Sequence, residues 1–157
     1  MCLSSDIYVL CDSRSHEKIV KFLEKFLPNN IEDADMYYIP YLSENPEISF
    51  EKLNEFMQYM ENATDKPNAI YWRNSQKEGD PRFAMVFYTD DGKMILGLSL
   101  NESDREEEVL EKIQRFVNSN YGYITFGDIP PTNSDAFIKK AYIINHSDKG
   151  NGTHSSK

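Results

Sequence analysis

Cysteine is scarce in this chain. Cys2 and Cys11 are the only two among 157 residues, too few for a disulfide framework and without the paired spacing of a metal site. Of three histidines, His146 and His154 fall near the C-terminus and leave His16 alone in the body of the chain; one histidine does not make a His-rich metal site. The glycine-rich loops that cradle phosphates are missing, since neither G-x-x-x-x-G-K-S/T nor G-x-G-x-x-G occurs. Positive charge is short as well: 17 Lys and Arg stand against 26 Asp and Glu, a net charge of −9. That balance argues against nucleic acid as a partner, because affinity for a phosphate backbone comes from Lys and Arg releasing counterions. No apolar run reaches the length of a membrane span. The first six residues lack a basic start, and the apolar run at 7–11 is too short for a signal sequence. The expectation is a cytoplasmic protein, bacterial in style, with no membrane partner and no implied cofactor. The Asn-x-Ser/Thr matches at Asn62, Asn101, Asn145 and Asn151 are then chance matches.

What is present belongs to a globular protein. Hydrophobic residues make up 39% and charged residues 27%, which suits one domain of this length rather than a disordered chain. The organising stretch is residues 82–101, R-F-A-M-V-F-Y-T-D-D-G-K-M-I-L-G-L-S-L-N. Two nearly uncharged runs, 83–88 and 94–100, flank Asp91-Gly92, a dipeptide suited to the tight primed turn of a β-hairpin. Strands so poor in charge predict a place inside a sheet. Gly97, within the second run, marks either a bulge or a close packing contact.

Around that hairpin the chain alternates. Residues 6–11 (D-I-Y-V-L-C) predict a buried first strand. Ile19, Phe22, Leu23, Phe26 and Leu27 then follow at amphipathic helical spacing. Residues 36–42 (M-Y-Y-I-P-Y-L) predict a strand whose Pro40 points to an edge or bulge. A second helix from about Ser49 buries Phe50, Leu53, Phe56, Met57 and Met60, and residues 69–72 form a third strand. Ser103 with Glu106 fits a capping box, opening a helix that buries Val109, Leu110, Ile113, Phe116 and Val117. Residues 123–126 give one more strand, Pro130-Pro131 a break, and 136–144 a mixed apolar segment that could add a terminal strand. Residues 145–157 carry no apolar side chain and predict a disordered polar tail behind a single domain at 1–144. The fold class is α+β: one mixed, mostly antiparallel sheet with a central β-hairpin and three helices mainly on one face. The β-α-β start predicts a parallel right-handed crossover.

Catalytic constellations are sparse. Residues 11–16 (C-D-S-R-S-H) place Cys11 at a strand end before a helix, where a thiol could have a lowered pKa and act as a nucleophile. The phosphate loop of cysteine phosphatases needs Arg six positions after the Cys; Glu17 stands there and Arg14 comes too early. The plain alternatives are a small buried Cys11 and a solvated His16. Asp90-Asp91 could pair as catalytic carboxylates, but Gly92 beside them favours a turn.

Recognition is better served. Between Glu32 and Glu61, eight carboxylates, including Glu44, Glu47, Glu51 and Glu55, face one lysine, Lys52. Tyr37, Tyr38 and Tyr41 are interleaved with them, and tyrosine offers large, stiff, amphipathic contact area. Such a face would steer and anchor a basic protein; the bland alternative is a solvated helix face over core tyrosines. Tyr71-Trp72-Arg73 forms a second candidate patch, Trp and Arg being interface-prone types, with a core tryptophan as the plain alternative. In size, acidity and aromatic content the chain resembles, as a class, the immunity proteins that neutralise secreted bacterial toxins. The resemblance covers the whole chain, carries no motif and transfers no residue. It implies a non-enzymatic domain that inhibits by tight protein–protein contact, often with a basic nuclease. The alternatives are a small-molecule-binding or enzymatic domain built on the Cys11–His16 turn, and a chaperone-like adaptor that dimerises through an exposed strand.

Overall fold

The computed structural model describes residues 4–101 and 104–155. Its elements in chain order are β1 (Ser5–Cys11), α1 (His16–Phe26), β2 (Asn30–Glu32), β3 (Tyr37–Ile39), β4 (Ile48–Phe50) and α2 (Leu53–Asn62). There follow β5 (Asn68–Asn74), β6 (Phe83–Tyr88), β7 (Met94–Leu100), α3 (Glu106–Val117), β8 (Gly122–Thr125) and α4 (Ser134–Ser155). Six strands form one sheet in the order β2-β5-β6-β7-β1-β8, and β3 pairs with β4 in a small separate sheet. The fold is α+β with the β6–β7 hairpin at the sheet's centre. Every strand pair among the described residues is antiparallel, so the sheet is not mixed. The parallel crossover predicted after β1 does not form, because β1 takes β7 and β8 as neighbours while β2 pairs with β5 at the opposite edge.

Strand alternation explains why the central runs carry so little charge. Ile7, Val9 and Cys11 of β1 join one core with Val86 and Leu96, while Tyr8 and Leu10 join a second with Phe87 and Ile95. Both faces of the central strands are therefore covered. Helices α1, α2 and α3 contribute Phe22, Phe56 and Ile113 to the first core. The cover of the second face is α4, through Phe137 and Ala141, where the sequence pattern predicts only a mixed segment or a strand. Helix α4 also runs through Ser155, past Asn145, where composition predicts disorder. A helix satisfies its backbone internally, whether or not its side chains are apolar.

Helix α2 starts at Leu53 rather than Ser49, because Ile48–Phe50 pair with Tyr37–Ile39 as a two-stranded lobe. The capping box at the start of α3 rests on Ser103, which lies outside the described residues; the helix follows Arg105 without a side-chain cap. Ser15 does cap α1, its hydroxyl accepting from the Lys18 N–H at 3.1 Å. The described helices include none long and apolar enough to cross a membrane.

The hairpin turn differs from the primed form. Thr89 N–H donates to the Lys93 carbonyl at 2.9 Å, which leaves Asp90, Asp91 and Gly92 as a three-residue loop with Gly92 at φ 90°. Such loops place glycine where φ must be positive. The two carboxylates also hold α4 in place. Ser134 Oγ and N–H both donate to Asp91, and Asn133 Nδ2 donates to Asp90 at 3.1 Å. Burial alone would raise the Asp91 carboxyl, but the hydrogen bonds from Ser134 and Thr89 outweigh it and hold its pKa below the ordinary value. Gly97 is a close packing contact rather than a bulge. Its register to Tyr8 and Met85 is unbroken, and a Cβ there would meet the Tyr8 ring at 2.7 Å.

Candidate functional site

Helix α4 packs against β8 and β1, so it covers only one half of the second sheet face. Over the other half, Ala69 and Tyr71 of β5 and Phe87 of β6 floor a groove of about 650 Å³. Ile39, Pro40 and Tyr41 flank it, as do Ile129, Pro130 and Pro131. Its floor is pre-arranged, because Phe87 packs edge-on against both Tyr71 and Tyr8, with centroids 5.7 and 5.8 Å away. The polar rim includes Asp65, Lys66 and Thr132. A mostly apolar concavity of this size with a few polar groups is the usual form of a binding site.

The exposed edge is unusually apolar. Leu42 and Ile129 are 70% and 69% exposed, and Tyr41 is 42% exposed. Leu42 also sits at φ 55°, a left-handed conformation that costs a non-glycine residue about 1–3 kcal/mol and is concentrated at functional loops. Burial first, and Asp33 second, raise the Tyr41 pKa; burial, then Tyr41 and Asp6, raise that of Tyr71. Both hydroxyls therefore stay protonated and available as donors at neutral pH.

The residues that the sequence nominates for recognition divide sharply. Tyr41 lines the groove. Tyr37 is a core residue instead: its ring stacks on Phe56 at 5.0 Å and its hydroxyl donates to Glu32 at 2.6 Å. Trp72 is 1% exposed in the same core, because strand alternation points it under the helices and leaves its neighbours Tyr71 and Arg73 on the opposite face. Tyr38 is half-buried, and its carbonyl accepts from Asn68 Nδ2 at 2.8 Å. Glu44, Glu47, Glu51, Glu55 and Arg73 are exposed and do not line the groove. Of these, Glu47 lies 4.0 Å from Lys66 on the groove rim, and Glu55 sits in the first turn of α2. Tyr71, the first residue of the patch that continues through Trp72 and Arg73, lines the groove, whereas Phe87 and Ile129 escape the sequence pattern. A signal does exist for Ile129, an apolar side chain in the turn-forming stretch 127–132 (G-D-I-P-P-T).

The Cys11–His16 turn is packed into the fold through Cys11 and Arg14. Cys11 is fully buried, and burial pushes its thiol up to about 12. Arg14 is buried among backbone carbonyls, and His16 opens α1 with its N–H 3.4 Å from Glu61 Oε1. Among the described residues no hydrogen bond joins Cys11 to His16, and no group of three or more His, Cys, Asp or Glu is placed to hold a metal ion. Cys11 should accordingly resist iodoacetamide in the native protein. With the thiol pushed up to about 12, the thiolate fraction at pH 7.5 is below about 10⁻⁴, against ~0.1 for an ordinary cysteine. Mass spectrometry of a Cys2→Ser variant checks this, with labelling expected only after unfolding; rapid native labelling would restore Cys11 as a nucleophile.

Compared with protein-family models, curated proteins and solved structures, the chain has no match in any of the three.

Proposed function

We propose that the chain is a non-catalytic protein-binding domain, an inhibitor of the immunity type, which seats an apolar segment of a basic partner in the groove floored by Tyr71 and Phe87. The observation that carries this reading is the half-covered sheet face. A groove with an aromatic floor lies there, Tyr41, Leu42 and Ile129 are exposed beside it, and no segment of the described chain fills it. Charge supports the choice of partner. Asp33 is close enough to act on Tyr41, Asp65 lies on the rim, and Glu44 and Glu47 follow on the loop that carries Tyr41 and Leu42. In such an interface the desolvated apolar anchors set the residence time and the exposed carboxylates set the encounter rate.

The two roles separate experimentally. The partner to test is whichever basic protein the neighbouring genes nominate, with association and dissociation followed at several salt concentrations. Glu44→Lys with Glu47→Lys should slow association and flatten its salt dependence, since attraction between exposed charges is screened within about 8 Å at physiological ionic strength. Tyr41→Ala with Leu42→Ala should instead speed dissociation by about thirty-fold or more, the loss of one central anchor of roughly 2 kcal/mol. Wild-type kinetics in both double variants would reject the groove as the docking site.

A further inference from the structure

A second concavity has the opposite character. Between the C-terminal end of α1 and helix α3 lies a cleft of about 690 Å³. In a chain of net charge −9, the described residues of its lining bring together Lys25, Arg105, Lys112 and Arg115 with one carboxylate, Asp80. Asp80 is already engaged, accepting from the Asn101 N–H and from Arg105 Nη2, both at 2.9 Å. Lys112 leans on Glu108 at 3.4 Å, with both side chains about half exposed, and an exposed pair of this kind holds its lysine weakly. Lys25 and Arg115 have no ion pair among the described residues. Beneath the cations lies apolar surface. Phe26 and Phe116 meet edge to face at 5.9 Å, beside Leu100 and Val109.

We propose that this cleft binds a small organic carboxylate with an apolar acyl or aryl body. The cations supply the charge complement, and the Arg115 guanidinium has the planar fork that matches a carboxylate. The phenylalanines supply surface whose burial favours an apolar body over a bare inorganic anion. A long polyanion does not fit, because the negative charge of the rest of the molecule would repel whatever extended beyond the cleft. This site is independent of the groove and would remain if the groove bound nothing.

Octanoate, octanol and octyltrimethylammonium share a chain and differ in head charge. Titrating each into the full-length ¹⁵N-labelled protein tests the proposal. Octanoate should shift the amides of Leu100, Val109 and Phe116 saturably, and octyltrimethylammonium should bind there at least about tenfold more weakly. Lys25→Gln with Arg115→Gln, both at exposed positions, should weaken octanoate by about tenfold or more and leave octanol unchanged. The same spectra report whether the variant is folded. Any of three results would overturn the proposal: shifts confined to Tyr71 and Phe87, equal binding of the anionic and cationic probes, or undiminished octanoate binding by the folded double variant.

Discussion

A Leu96→Asp variant is expected to lose at least ~4 kcal/mol of stability at pH 7, a large fraction of the roughly 5–15 kcal/mol that a domain has to lose. Leu96 is 0% exposed at the middle of β7, with Val9 of β1 and Val86 of β6 as its register partners on either side. A carboxylate there would have apolar neighbours and no donor. The pH dependence separates charge from size. Desolvation raises the folded-state pKa of the introduced carboxyl above its unfolded value. The folded state then holds the proton that the unfolded state has released, so stability falls as pH rises between the two pKa values and recovers as pH falls towards about 4. Leu96→Asn should be destabilised without that slope. Urea unfolding at pH 7 and pH 4.5 reads both effects. Since 1 kcal/mol moves Tm by about 2–4 °C at this chain length, a Leu96→Asp protein melting within 3 °C of wild type would be incompatible with the central, doubly covered position of β7.

That position was legible because a strand covered on both faces must be uncharged on both. The apolar runs at 83–88 and 94–100 coincide with β6 and β7. Helix α1 was legible from Ile19, Phe22 and Leu23, whose spacing survives as its buried stripe. Legibility ends where an element depends on a distant partner. Phe50 fits the helical period of Phe56 and Met60 equally well, and only pairing with Tyr37 makes it a strand residue. Phe137 and Ala141 have helical spacing, yet a segment rich in Ile and Tyr near a polar end is ambiguous until a sheet face is there to receive it.

The candidate site was legible in its chemistry and not in its geometry. An exposed tyrosine near carboxylates could be named, and Tyr41 is one. Which of three neighbouring tyrosines faces out depends on the β3–β4 lobe, and Trp72 changes from anchor to core with a single step of strand register. The groove exists because α4 covers half a sheet face, a fact of packing that no local pattern encodes. Arg14 is the extreme case. The sequence shows only that it comes too early after Cys11 for a phosphate loop, and its partners lie 46 to 79 residues away.

Arg14→Ala should be among the most damaging single substitutions in this protein, at least ~3 kcal/mol, since each buried carbonyl left without a donor costs about 1–3 kcal/mol. Arg14 is 6% exposed, and its guanidinium donates to five backbone carbonyls. Those of Met60 and Ala63 belong to the end of α2, where unpaired carbonyls gather the negative end of the helix dipole. Thr89 at 2.6 Å and Lys93 at 3.4 Å belong to the central hairpin turn, and Lys66 at 2.8 Å to the loop before β5. The cation also lies 4.9 Å from the centroid of the Tyr88 ring. One side chain thus ties the helix layer to the hairpin, and its charge is balanced by carbonyl dipoles at bonding distance. Burial lowers its pKa from the usual arginine value, but a guanidinium keeps its proton in proteins. The stabilisation should therefore be flat with pH and insensitive to salt, unlike that of an exposed ion pair. Arg14→Lys keeps the charge and loses the fork; an ammonium with three donors at one point cannot serve carbonyls spread around a guanidinium, so at least ~1.5 kcal/mol should still be lost. Urea unfolding at low and high salt measures the totals, and hydrogen exchange gives the location. In Arg14→Lys the amides of the last turn of α2, including the Ala63 N–H that bonds the Tyr59 carbonyl, should lose protection before those of β7. A loss below 1 kcal/mol in Arg14→Ala, or one that 1 M salt abolishes, would show that the carbonyl cage does not hold the helix layer to the hairpin.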